Sequence, residues 1–202
     1  MFLTGSRSRR VPLEDAPVKT LGLFRHAKSG WADPRARDFD RPLSERGERG
    51  AALMGEHIRD FGPEAGMRFD RVLASPAVRV SETIELASKA FGRSFPVEWD
   101  RRIYLASSAT LLDLLRGVEG DPAAVLMVGH NPGLEDLIFD LVPDDGTSPL
   151  RDEVEVKFPT ATFAILELDV ANWADIAEGG ARLAHMMRPR DLDPALGPEL
   201  VD

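Results

Sequence analysis

Short apolar runs alternate with longer amphipathic ones between residues 18 and 187, and no other feature restricts the possible folds of this chain so strongly. That alternation predicts helices packed on a mostly parallel sheet, a three-layer α/β/α sandwich. Strands are expected at 18–24, 71–74, 95–99 and 161–168, with an edge strand near 182–186. The most apolar run, 123–128, reads as a central strand. Between them, Ser44 reads as the N-cap of a helix over 45–60, with Ala51, Leu53, Met54 and Ile58 on one face. Ser75-Pro76 reads as a cap followed by proline at the first position of a helix reaching 91, striped with Val80, Ile84 and Ala87. Further helices are expected over 108–117 and, after the turn Gly129-His130-Asn131-Pro132-Gly133, over 134–141.

A chain of 202 residues, 43% hydrophobic, has material for one core rather than two. We therefore expect one domain over 18–187, between a flexible arm over 1–17, which carries Arg7, Arg9 and Arg10, and a proline-containing tail over 188–202. Lys and Arg number 25 against 34 Asp and Glu, a net charge of −9, which argues against nucleic acid or an anionic membrane as partner. An anionic ligand must then be held by a local positive pocket. Without cysteine there is no thiol nucleophile, disulfide or Cys-based zinc site. No apolar run has bilayer-spanning length and the basic start lacks a secretory apolar stretch, so a cytoplasmic location is expected.

In open α/β sheets ligands bind beyond the carboxyl ends of the strands. Three such ends carry chemistry here: Arg25-His26-Ala27-Lys28-Ser29, Ser75-Pro76-Ala77 with Arg79, and His130-Asn131. Arginine offers a planar fork of donors matched to a phosphoryl group, and two of them suit a dianion. An imidazole is a nucleophile through one nitrogen when the other donates to a carbonyl or carboxylate. Each part also has a plain structural reading. An Arg-His pair arises by chance in roughly one chain in five, Arg79 alone could face solvent, and His130 alone could be a satisfied turn residue. Their shared position after successive strands favours function. His57 and His185 are read as structural, and no histidine sits at metal-ligand spacing, so neither metal nor cofactor is expected.

Four motifs, in order along the chain, carry a resemblance: Leu23-Phe24-Arg25-His26-Ala27-Lys28-Ser29, Arg41-Pro42-Leu43-Ser44-Glu45-Arg46-Gly47, Ser75-Pro76-Ala77-Val78-Arg79 with Thr83, and Val128-Gly129-His130-Asn131-Pro132. From about Lys19 to Arg190 the chain resembles the histidine phosphatase superfamily, with its phosphoglycerate mutase-like fold, and within it the small SixA-type phosphohistidine phosphatases. The resemblance implies that His26 is phosphorylated and then hydrolysed, with Arg25, Arg79 and His130 completing the phosphate pocket and Ser29 and Asn131 assisting substrate binding. Larger mutase-type members carry an asparagine where Ala32 stands, and a glutamate acid whose motif is not matched here, Glu98 and Asp100 only lying in about the same stretch. A weak acid disfavours an alkoxide leaving group and suits a phosphoramidate. Short segments between motifs imply an open site, and the loop from Gly30 to Asp40 is the expected place of substrate selection. The substrate that the resemblance implies is phosphohistidine in a protein. Small phosphate esters are the alternative, and a phosphoprotein-binding module without turnover is the non-enzymatic one.

Overall fold

The computed structural model describes residues 18–30, 35, 37–61 and 68–197. The arm over 1–17, the loop residues Trp31 to Pro34 including Ala32, and the end of the tail lie outside these. Among the described residues, six strands and six α-helices follow in the order β1 (Val18–Arg25), α1 (Glu45–Asp60), β2 (Arg71–Ala74), α2 (Val78–Phe91), β3 (Val97–Trp99), α3 (Ser108–Arg116), β4 (Ala124–Gly129), α4 (Gly133–Leu141), α5 (Pro149–Val156), β5 (Phe163–Asp169), β6 (Ala181–Met187) and α6 (Pro189–Leu192). The strands form one sheet in the order β3-β2-β4-β1-β5-β6. The first four are mutually parallel; β5 runs antiparallel to β1, and β6 to β5.

Strand periodicity divides the core in two, because successive side chains leave opposite faces of the sheet. Leu21, Leu23, Val125 and Met127 pack with α3, α4 and α5, whereas Phe24, Leu126, Val128 and Phe163 pack with α1 and α2. β4 is buried along its whole length, as its unbroken apolar run requires. Helices α1 and α2 approach closely at Gly55, where a Cβ would stand 2.3 Å from the Ala87 carbonyl oxygen. The three-layer α/β sandwich expected from the sequence is the observed architecture, including the edge strand β6.

Three local readings need correction. Ser75-Pro76 does not cap a helix: α2 begins at Val78, with Ala77 as its N-cap and no side-chain cap bond. The Ser75 hydroxyl is instead 2.8 Å from the His130 ring. The same Ser-Pro signal does open α5, a helix that the apolar pattern does not predict; there Ser148 accepts from the Arg151 backbone N–H, and Pro149 takes the first helical position. Residues 188–197, read as tail, form α6 and a 3-10 turn over Pro194–Leu196, with Pro189 and Leu196 buried.

Candidate active site

Sheet order explains the site. Strands β1 and β2 both flank β4, in registers that pair Arg25 with Gly129 and Ala74 with Val128. The residues leaving these strands are therefore neighbours: the His26 N–H donates to the Gly129 carbonyl at 3.1 Å, and the Ser75 N–H to the Val128 carbonyl at 3.1 Å. Three sequence-distant motifs share one sheet edge for that reason. A pocket there is lined by Arg25, His26, Ser29, Asp38, Arg79 and His130, among others.

His26 is buried, at 8% exposure, and its Nδ1 lies 2.7 Å from its neighbour's carbonyl oxygen, that of Ala27. A carbonyl can only accept, so Nδ1 carries the proton and Nε2 keeps its lone pair. The turn itself is held twice. The Ala27 N–H donates to Thr83 Oγ1 at 2.9 Å, and the Ser44 N–H at the start of α1 donates to the Lys28 carbonyl at 2.9 Å. Gly47 permits that docking, since a Cβ there would stand 2.0 Å from the Lys28 oxygen.

Arg79 reaches the centre of this group. Its Nε donates toward His26 Nε2 at 3.3 Å, and its Nη2 faces His130 Nδ1 at 3.3 Å. With Nδ1 accepting, the His130 Nε2–H donates to the Ser75 hydroxyl at 2.8 Å. That hydroxyl can also donate, so His130 is able to carry its proton on either nitrogen. Burial, with the charges of Arg79 and Arg25 adding to it, lowers His26 to about 4; burial, together with His26 and Arg79, lowers His130 to about 3. Both rings are neutral near pH 7. Arg25 Nη1 donates to the Phe158 carbonyl at 2.6 Å, while its Nε is buried without a hydrogen-bond partner among the described residues.

Asp38, Arg41 and Tyr104 belong to the same constellation, although no motif pointed to Asp38 or Tyr104. The Asp38 carboxylate accepts from Arg79 Nη2 at 2.9 Å, Arg41 Nη1 at 2.9 Å and the Tyr104 hydroxyl at 2.7 Å. Burial acts against its ionisation, yet the bonds from Tyr104 and Arg41 and the Arg79 charge hold its pKa down to about 2. Asp38 is thus a charged brace for Arg79 and no proton donor near neutrality. Arg41 Nη2 also donates to Ser29 Oγ at 2.8 Å.

The remaining expected residues fare differently. Asn131 lines the pocket, but its amide nitrogen donates to Glu135 at 2.8 Å and to the Phe158 carbonyl at 3.1 Å, and Oδ1 has no partner among the described residues. Its donors serve the loop that also anchors Arg25. Glu98 and Asp100 lie outside the pocket lining: Glu98 is clamped by Arg71, with one bond of 2.6 Å, and Asp100 by Arg102, also at 2.6 Å. Their carboxyl groups are lowered by those pairs, which unsuits them as acids. His57 and His185 lie outside the pocket too, but they meet each other, Nε2 to Nε2, at 2.9 Å.

The model of the histidine phosphatase superfamily (branch 1) matches residues 21–104, and the chain belongs to that superfamily; it is a phosphatase. An uncharacterized protein of Mycobacterium tuberculosis is 34% identical over 83% of this chain and 100% of its own length. A structure from Nakamurella multipartitia, assigned as the phosphohistidine phosphatase SixA, matches with a TM-score of 0.72 and 32% identity over 85% of this chain and 96% of that one. Its counterpart from Agrobacterium tumefaciens, assigned likewise, matches with a TM-score of 0.69 and 29% identity over 85% and 98%. No helix among the described residues is long and apolar enough to cross a membrane.

Proposed function

We propose that the protein hydrolyses phosphohistidine in proteins, without a metal, through a phosphoryl group carried briefly on His26. The observation that supports this most directly is the hydrogen bond from His26 Nδ1 to the Ala27 carbonyl, which leaves the lone pair on Nε2, beside His130, where it accepts from Arg79 and serves as the nucleophile once phosphoryl oxygens take over that donor. Nε2 attacks phosphorus in line. The forks of Arg79 and Arg25 hold the equatorial oxygens, and His130 turns its proton toward them once its nitrogen is released by Arg79. The P–N bond of the substrate breaks as the new one forms, and its electron pair returns to the departing imidazole. Water then displaces His26 and releases phosphate. Ser29 borders the oxygens, while Asn131 positions the Phe158 carbonyl on which Arg25 rests.

The pocket's acid inventory supports a phosphoramidate over an alkyl ester. Asp38 is ionised and pinned, and Glu98 and Asp100 are paired elsewhere. A departing imidazole that is already protonated on its far nitrogen needs no such donor, whereas an alkoxide does. The test is a panel of phosphohistidine protein, phosphoramidate, aryl phosphate and alkyl phosphate, with His26→Ala as control. The proposal requires kcat/KM to be highest for the phosphohistidine protein and to collapse in the variant. Preference for a small alkyl phosphate would assign the enzyme to metabolite monoesters instead. Phosphate binding without turnover of any substrate would make it a binding module.

A further inference from the structure

Beside the phosphate pocket lies a second concavity whose lining includes Lys28, Arg46, Lys157 and Arg190, together with the buried Ala161 and Pro189. Lys28 and Thr160 border both spaces, so the two are contiguous. No carboxylate among the described residues lines the second one. This is notable in a chain whose net charge is −9. Nearby arginines are neutralised by partners: Arg188 by Glu153 and Asp191, Arg41 by Asp38. Lys28, Arg46, Lys157 and Arg190 form no ion pair among the described residues. The four come from the turn after β1, the first turn of α1, the end of α5 and α6, so no single surface helix accounts for them.

Arg46 adds a separate observation. It stands in the first helical turn, where the macrodipole already presents positive potential and a cation costs stability. A cation placed against that gradient at the mouth of a concavity raises the local potential for an anion. The wall bearing Arg190 is the segment first read as tail; Pro189 and Leu196 fix it against the domain.

We infer that this cleft is a second anion subsite, which holds a carboxylate or phosphate group of the same molecule whose phosphoryl group enters beside His26. The inference rests on the phosphate-pocket reading and adds a substrate class to it: molecules with two anionic groups set apart by the distance between the two spaces. An anionic group here engages donors that a singly charged analogue leaves unused, and so lowers KM rather than raising kcat.

Competition against aryl phosphate hydrolysis tests this with ω-phosphonocarboxylates of increasing chain length, each beside its methyl ester. At one length the free acid should bind about tenfold more tightly than the ester, as a charge-assisted bond warrants. The double variant Lys157→Gln/Arg190→Gln should abolish that difference while leaving the ester's inhibition and aryl phosphate turnover as they were. Equal inhibition by acid and ester at every length would overturn the subsite, as would an advantage that survives in the variant. Methylphosphonate provides the separate control: its failure to compete at all would bring down the phosphate-pocket reading and the subsite with it.

Discussion

Mild acid should destabilise this protein through the two histidines of its site. His26 and His130 are 8% and 3% exposed, and burial beside Arg79 lowers them to about 4 and about 3. An imidazole in the unfolded chain titrates near about 6.5. Because the folded values lie below the unfolded one, the unfolded chain binds more protons throughout that interval. Stability is therefore complete above the unfolded pKa and is lost as pH falls toward the folded values. Between about pH 7 and about pH 5 the loss per histidine is about 2 kcal/mol, nearly all of it from protonation of the unfolded chain. Both rings together give about 4 kcal/mol, a large fraction of the stability of an ordinary domain. The assay is denaturant unfolding at both pH values for the wild type and for His26→Asn/His130→Gln. His57 and His185, also lowered by burial, are present in both chains and cancel in the comparison. The wild type should lose about 4 kcal/mol more than the variant; equal losses would refute the claim that both rings are buried neutral.

Arg25→Ala or Arg79→Ala should retain the circular dichroism of the fold yet lose about 3 kcal/mol of transition-state stabilisation, roughly a hundredfold or more in kcat/KM; unchanged steady-state kinetics would remove the residue from the pocket's chemistry. Tyr104→Phe deletes the 2.7 Å bond to Asp38 and should lower kcat/KM by up to about tenfold through a looser Arg79, with the thermal midpoint nearly unchanged. Gly55→Ala drives a Cβ to 2.3 Å from the Ala87 carbonyl oxygen and should cost about 1–3 kcal/mol in unfolding experiments, while activity per folded molecule persists at low temperature.

Much of the site was legible because its parts are local. An Arg-His pair, a Ser-Pro turn and a Gly-His-Asn turn each end a run that only a buried strand explains, and the sheet needs only to set β1, β2 and β4 side by side. Asp38 and Tyr104 were invisible because their roles arise from meetings across the chain: Asp38 with Arg79, 41 residues on, and with Tyr104, 66 residues on. The His57–His185 pair spans 128 residues and depends on α1 lying over the β6 edge, which no periodicity foretells. Ser75-Pro76 misled for a physical reason, since a hydroxyl engaged with an imidazole is diverted from helix capping. Residues 188–197 looked like tail because a four-residue helix is too short to show a period, although burial of Pro189 and Leu196 docks it firmly.

Brief exposure to radiolabelled phosphoramidate, followed by rapid denaturation and peptide mapping, examines the covalent step itself. The account predicts acid-labile, alkali-stable label on the peptide containing His26, and none when that residue is alanine. Label on another peptide, or undiminished phosphate release by the alanine variant, would contradict it.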